Sequence, residues 1–183
     1  MPTLPAGTGD YKDEWAVIDS LEREGLFKTA LERVDALHAR AQNDNNASQS
    51  LKTLIYIGKY AVLLDEDGMV KAVQRFETEA KTARQPEKSV IQSMLGELYN
   101  TYLQNQGWQL SSRTPVQNNE GGDILTWSAA QMEQHALDLY LSSVQEVATL
   151  RATPVDYIRD VTVPGSGDTI GQPLRPTLFD FLA

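Results

Sequence analysis

The two histidines are the side chains of this sequence best suited to acid–base or metal chemistry, because the chain has no cysteine. His38 and His135 both fall in stretches whose apolar spacing predicts a helix. On those helices Glu32 and Asp35 would share a face with His38, and Gln131 would share one with His135. No Glu-x-x-His spacing is present, and lone histidines on distant helices are usually exposed or hydrogen-bonded at the surface. We therefore predict no catalytic residue and no metal site at either histidine.

Three polar turns contain residue types that other proteins use to bind ions or phosphate. Residues 65–68 and 120–123 are acidic, but neither has the alternating acidic positions and terminal glutamate of a helix–loop–helix calcium loop. The glycines of residues 165–168 have no lysine of the kind a phosphate-binding loop requires. No nucleophile elbow is present either. The sequence therefore predicts a protein that is not an enzyme and that takes no cofactor.

Tryptophan and arginine flank a long polar stretch in the second half of the chain, and these residue types often anchor interfaces. The tryptophans could pack the polar stretch back onto the helices, dock a neighbouring domain, or form a platform for carbohydrate. Two phenylalanines near the C-terminus extend the set. The candidate interaction residues are Trp108, Arg113, Trp127, Phe179 and Phe181.

Composition bounds the class of protein and its partners. The chain has 183 residues, a mass of 20.3 kDa and 41% hydrophobic residues, which fits one folded domain. Its formal net charge is −9, and it has no Lys/Arg cluster that could neutralise phosphates. No apolar run approaches the length of a membrane span. We therefore predict no nucleic-acid binding and no insertion of this chain into a membrane.

Apolar periodicity assigns nearly all of the chain to helices. We predict a flexible lead-in over residues 1–9 and a single helical domain over residues 10–183. The apolar stripes cover residues 11–21, 27–41, 51–62, 70–83, 90–102 and 136–148, and a short helix follows Thr153. Pro86 fits the first turn of the fifth helix. Residues 107–125 are polar and rich in turn formers, so we predict a long loop there.

Capping residues mark the predicted starts of two later helices. Ser128 and Gln131 form a capping-box pattern at the start of the best-defined helix. We predict that its buried face consists of Ala136, Leu137, Tyr140, Leu141, Val144, Val147 and Ala148. Thr177 caps a further helix, with Asp180 in its first turn, and only three residues follow Asp180. Because a helix this short is not stable alone, we expect the chain to be part of a longer protein whose final helix continues.

Short connections between amphipathic helices predict an all-α fold of stacked antiparallel hairpins, either a superhelix or a bundle. The pattern Gly25-x-Phe27-x-x-Ala30 resembles the interhelix turn of a tetratricopeptide repeat, where glycine tightens the turn and alanine lets the helices approach. Leu95-Gly96-x-x-Tyr99 resembles part of the first helix of that repeat. A 34-residue period is not maintained, so the chain is repeat-like and not a repeat array.

The order of several short segments along the chain carries a family resemblance. The first are Leu21-Glu22-Arg23-Glu24-Gly25-Leu26-Phe27-Lys28-Thr29-Ala30-Leu31, and Asn45-Asn46 followed by Lys52. The next are Ser93-x-x-Gly96-Glu97-Leu98-Tyr99, Arg113-Thr114, Asp123-Ile124-x-Thr126-Trp127, and the final run Arg175-Pro176-Thr177-Leu178-Phe179-Asp180-Phe181-Leu182-Ala183. Together they resemble the N-terminal helical region of large bacterial alpha-2-macroglobulin-like proteins.

The resemblance implies a leading helical segment of a much longer protease inhibitor, located in the periplasm or at the outer membrane. The later parts of such proteins are β-sandwich macroglobulin domains, a bait region that proteases cleave, and often a thioester domain. Since this chain has no cysteine, no thioester can lie within it. The implied role is a non-catalytic scaffold or protein-interaction module, whose partner is the rest of its own parent chain or another protein.

Two other functional classes stay open at the level of the sequence. A helical glycan- or nutrient-binding lipoprotein domain of the outer membrane would also combine repeat-like helices with aromatic residues. A stand-alone cytoplasmic scaffold is the third interpretation. A change of tryptophan fluorescence with oligosaccharides would separate the glycan-binding class from the two scaffold classes.

Overall fold

A computed structural model describes residues 10–110, 124–162 and 175–183, with side chains from 10 to 106 in the first range. Those residues contain eight α-helices and two short 3-10 helices, which confirms the predicted all-α class. The α-helices are α1 (Tyr11–Arg23), α2 (Phe27–Asn43), α3 (Ala47–Leu64), α4 (Gly68–Thr82), α5 (Glu87–Leu110), α6 (Ala129–Ser143), α7 (Val147–Ala152) and α8 (Leu178–Leu182). The 3-10 helices are Ile124–Thr126 and Val155–Ile158.

The described residues group into two compact units. The first unit contains residues 10–68 and 156–162, and the second contains residues 69–110, 124–155 and 175–183. The lead-in over residues 1–9 lies outside the described residues. The single helical domain over residues 10–183 stays a prediction from the sequence.

In the first unit, α1, α2 and α3 form two successive antiparallel hairpins. The start of α1 meets the end of α2, where the Tyr11 hydroxyl donates to Asp44 Oδ2 at 2.7 Å. The start of α2 meets the end of α3, where the rings of Phe27 and Tyr60 lie 6.3 Å apart. Trp15 Nε1, near the start of α1, donates to Gln49 Oε1 at the start of α3 at 2.7 Å, so these two helices run parallel.

The turns at the ends of α1 and α2 share one geometry. Gly25 (φ 74°) and Asn45 (φ 52°) each adopt the left-handed conformation just after a helix. The next amide then reaches back to close the turn: Leu26 N donates to Leu21 O, and Asn46 N donates to Ala41 O, both at 2.9 Å. This bond pattern is that of a Schellman motif, in which the left-handed residue reverses the chain. The turns of both hairpins therefore have the same hydrogen-bonded geometry.

The core of the first unit lies between these three helices. Its buried members are Trp15, Ile18, Ala30, Val34, Leu37, Ile57 and Tyr60, and burial of each large side chain contributes about 1.5–3 kcal/mol. The five from α1 and α2 belong to the predicted apolar stripes. The stripe predicted for α3 was partly wrong, because Ile55 and Val62 are exposed and Ile57 and Tyr60 pack into this core instead.

In the second unit, α5 and α6 form a closely packed antiparallel pair. Gly96 of α5 permits the close approach, because a Cβ at this position would lie 3.1 Å from the Tyr140 ring. The Tyr140 hydroxyl donates to Glu97 Oε2 at 2.8 Å. About one and a half turns earlier in α6, His135 meets Tyr99 of α5 with ring centroids 4.9 Å apart. The small residue and the aromatic residues thus fix the register of the pair.

Several predicted boundaries were wrong. α5 continues to Leu110, so residues 107–110 are helical and not part of the predicted loop. Gly107 weakens a helix but does not end it as proline does, and the next proline in the sequence is Pro115. Residues 111–123 lie outside the described residues, and residues 124–126 form a 3-10 turn. The helix that was predicted to reach residue 148 ends at Ser143, where i→i−3 bonds such as Val144 N to Leu141 O (3.4 Å) tighten the last turn.

The short helix α8 begins as predicted and is docked within the second unit. Asp180 N donates to Thr177 Oγ1 at 3.3 Å, and Thr177 N donates to Asp180 Oδ2 at 3.2 Å, which completes a capping box. Leu178 N donates to Thr153 O at 2.9 Å, and the Leu178 side chain is fully buried. Because a five-residue helix is unstable alone, this docking stabilises it.

Candidate functional site

His38 serves to join α2 and α3. Its ring is buried and not at the surface as predicted, because both ring nitrogens have partners: Nδ1 lies 2.9 Å from Thr53 Oγ1 and Nε2 lies 3.0 Å from Gln42 Nε2. The Gln42 amide donates to Nε2, so the Nδ1 proton is the one that reaches the Thr53 hydroxyl. That hydroxyl also lies 2.8 Å from Gln49 O, to which it can donate. Both ring nitrogens therefore have structural partners within the first unit.

His135 belongs to an aromatic cluster in the second unit. Trp127 stacks on Tyr99 with centroids 5.7 Å apart and an interplanar angle of 13°. His135 meets both rings edge-on, each at 4.9 Å. Burial lowers the pKa of His135 below its ordinary value, and the negative charges of Glu77 and Asp138 oppose that shift. The imidazole is therefore favoured in its neutral form among the rings.

Tyr99 holds its proton firmly in the same cluster. Its hydroxyl donates to Glu77 Oε1 at 2.6 Å. Burial and the neighbouring Glu77 carboxylate both raise the pKa of Tyr99 far above the ordinary phenol range. A phenol with a raised pKa is a hydrogen-bond donor at neutral pH and not a base. The cluster of Tyr99, Trp127 and His135 therefore packs α5 against the first half of α6 and the residues before it.

Groups of three or more acidic or histidine side chains that could hold a metal ion do not occur in the described part of the chain. The acidic residues 65–67 are exposed, in the turn between α3 and α4. Residues 120–123 and 165–168 lie outside the described residues.

The candidate interaction residues occupy different environments. Trp127 is only 8% exposed, so its ring packs against the helices, which is the first of the three arrangements considered for the tryptophans. Phe179 is half-buried, and the guanidinium carbon of Arg151 lies 4.7 Å from its ring centroid. Phe181 is 40% exposed on α8. The Trp108 side chain and all of Arg113 lie outside the described residues.

The structure also exposes two leucines that the sequence analysis assigned to a buried face. Leu137 and Leu141 lie one turn apart on α6 and are 50% and 54% exposed. The face of α6 that packs inward instead carries Met132, Ala136 and Ser143, all buried. Periodicity could not separate the two faces, because both of them carry apolar residues at helical spacing.

We define the leucine stripe as exposed Leu137 and Leu141, which lie one turn apart on one side of α6. Isolated exposed leucines are common on soluble proteins, whereas apolar residues that adjoin one another often mark contact sites. Leu63 on α3 is exposed to a similar degree (53%) and lies between exposed Val62 and Leu64. Consecutive residues of a helix do not share a face, whereas Leu137 and Leu141, four residues apart, do. The stripe is the candidate site that the described residues support best.

Acidic side chains border the leucine stripe. Glu133 is exposed one turn before Leu137, and Asp138 is exposed beside it. On the side that faces α5, exposed Glu97 accepts the Tyr140 hydroxyl described above. The sequence of α6 contains no Lys or Arg. An apolar strip with a negative border therefore faces solvent.

Comparison of the chain with protein-family models, with curated proteins and with solved structures gives no match. The resemblance to macroglobulin-like proteins therefore depends on the sequence segments alone. No described helix has both the length and the apolar character needed to cross a bilayer.

Proposed function

We propose that this chain is a non-catalytic helical scaffold that binds another protein. The leucine stripe of α6 carries the proposal, since Leu137 and Leu141 are about half exposed on successive turns of a helix whose opposite face is fully packed. A partner that covers such exposed apolar side chains stabilises the complex by roughly 25 cal/mol for each Å² removed from water. A rigid helical pair is also a suitable platform, because little order has to be gained on binding.

The polar groups of the described residues support a non-catalytic role. The ring nitrogens of His38 have structural partners, and the ring of His135 packs against aromatic residues. Catalytic groups usually combine a perturbed pKa with access to a cleft. His135 has a lowered pKa, but its ring contacts are with Tyr99 and Trp127.

The resemblance to alpha-2-macroglobulin-like proteins supports a wider context for this scaffold. In that context the parent protein is a periplasmic or outer-membrane protease inhibitor, and this helical segment positions its later domains. The reading frame downstream of Ala183 in the source gene tests the idea. A frame that continues into strand-rich domains would support the inhibitor context, and a stop codon at that position would contradict it.

Affinity purification with a matched set of variants tests the scaffold function. The full chain, its Leu137→Gln/Leu141→Gln variant and its Leu63→Gln variant are each incubated with an extract of the source organism. We expect a defined protein that is retained by the wild type and by Leu63→Gln but lost with the stripe variant. The retained protein is then purified and its binding measured directly. Retention that does not depend on the stripe would contradict the proposal.

Glycan binding is the alternative that the same preparation can test. A carbohydrate platform needs an aromatic ring with one free face, whereas Trp15 and Trp127 are 6% and 8% exposed. A saturable change of tryptophan fluorescence with oligosaccharides would favour the alternative. Loss of that change in Trp108→Ala would place the platform at Trp108.

A further inference from the structure

We propose that the partner of the leucine stripe is a basic amphipathic helix of another protein. This inference rests on the proposed function and adds the chemistry of the partner. A helix that binds a helical surface presents apolar residues at i, i+3, i+4 and i+7. Leu137 and Leu141 offer an apolar strip of matching direction and spacing.

The negative charge of the border favours a partner with positive charge. Glu133 and Asp138 flank the stripe on α6, and Glu97 lies on the adjoining side of α5. From residue 89 to residue 150 the sequence has one Lys or Arg, Arg113. The acidic residues of the same stretch are Glu97, Glu120, Asp123, Glu133, Asp138 and Glu146. Lysine or arginine on both sides of an apolar face would therefore complement this surface, and acidic residues there would be repelled.

Two features of the border preserve its charge. Gln134 Nε2 donates to Asp138 Oδ1 at 2.9 Å, which holds that carboxylate beside the stripe. Glu97 accepts the Tyr140 hydroxyl, and burial and the bond to Glu97 raise the pKa of Tyr140 to about 12. Tyr140 therefore stays protonated and remains the donor to Glu97.

The same charges argue against a second copy of the chain as the occupant. In a two-fold dimer the same patch meets itself, so each acidic border would face another acidic border. The overall charge of −9 adds to that repulsion. A basic helix gains both the apolar contact and the charge contact.

Peptide binding to the full chain tests the inference. The probe is a fluorescent peptide of about 18 residues, or five helical turns, with leucines along one face and lysines on both flanks. One control peptide has the same composition in an order that destroys the apolar face, and the other replaces every lysine with glutamate. Affinity is measured by fluorescence anisotropy at low and at moderate salt.

We expect the amphipathic basic peptide to bind more tightly than either control by about tenfold or more. Leu137→Gln/Leu141→Gln should reduce its affinity by a similar factor, and Leu63→Gln should not. Glu133→Gln/Asp138→Asn should weaken binding at low salt and lose its effect as salt rises. Equal binding of the scrambled basic peptide would overturn the inference, because it would show attraction by net charge alone.

The two proposals can fail separately. If the stripe variant loses a natural partner while no basic peptide binds, the scaffold function stands and the basic-helix inference is wrong. If light scattering shows a dimer that the stripe variant disrupts, the occupant is a second copy and the inference is also wrong. If neither a natural partner nor a peptide depends on the stripe, both proposals fail.

Discussion

Trp127 and His135 show how residue type alone can mislead about function. Tryptophan and histidine are common at binding and catalytic sites, yet here both rings pack with Tyr99. The stacked and edge-on geometries are those that aromatic pairs prefer, and each pair contributes about 0.5–1.5 kcal/mol beyond burial. The burial of His135 in this cluster should therefore make the stability of the protein depend on pH.

Acid should destabilise the protein through His135. Because burial lowers its pKa in the folded state, the unfolded chain takes up this proton first as pH falls. The contribution of His135 to the free energy of unfolding should therefore be constant above its unfolded pKa of about 6.5. That contribution should decrease as pH falls from there toward the folded pKa. NMR titration of the imidazole should give a folded pKa below that value. Urea unfolding between pH 8 and pH 5.5 should show the matching slope.

The variant His135→Gln supplies the control for that titration. It removes the titrating group, so its stability should depend less on pH over the same range. His38 remains in the variant, which isolates the contribution of His135. An imidazole that titrates at or above the ordinary value would contradict the burial described for this ring.

At the scale of secondary-structure elements, the two turns of the first unit depend on left-handed residues. Gly25 can adopt a positive φ at no steric cost, and Asn45 does so more easily than most residues. Alanine at either position would keep the turn but introduce a strained conformation. The sequence pattern predicted the first of these turns from Gly25, whereas the left-handed conformation of Asn45 was not predicted.

Asn45→Ala should lower the free energy of unfolding by about 1 kcal/mol, because its φ of 52° lies in the left-handed region. Asn43→Ala makes the same chemical change two residues earlier, at an exposed position within α2. This control should be neutral or slightly stabilising, since alanine is the better helix former. Urea denaturation of both variants measures the difference. Equal effects of the two substitutions would contradict a special role for the turn.

Substitutions on the two faces of α6 should change stability by different amounts. Leu137→Gln/Leu141→Gln changes half-exposed side chains, so stability should shift by at most about 1 kcal/mol. Met132→Ala removes a fully buried side chain from the opposite face and should cost about 2–5 kcal/mol. Thermal unfolding followed by circular dichroism checks both values. A large loss in the leucine variant would mean that these residues are needed for folding, and the binding tests would then need single substitutions.

At the scale of the whole molecule, the sequence predicted the class of fold better than the position of the site. Apolar stripes located the helices because burial requires one apolar face for each of them. They could not tell whether α6 buries Leu137 or Met132, since that choice depends on where α5 lies. The capping box at Ser128 and the N-cap at Thr177 were correctly predicted, because their bonds involve only residues within one turn.

Tryptophan fluorescence of the intact chain should report a buried environment. Trp15 and Trp127 are 6% and 8% exposed, and the Trp15 indole donates to Gln49. Trp108, whose side chain lies outside the described residues, is replaced by phenylalanine so that only these two rings emit. We expect blue-shifted emission and acrylamide quenching several-fold weaker than in the urea-unfolded chain, because the quencher must reach the ring. Oligosaccharides should leave this spectrum unchanged, since neither ring offers a free face. Quenching as strong as in the unfolded chain would contradict the buried positions of both tryptophans and would reopen the carbohydrate-binding interpretation.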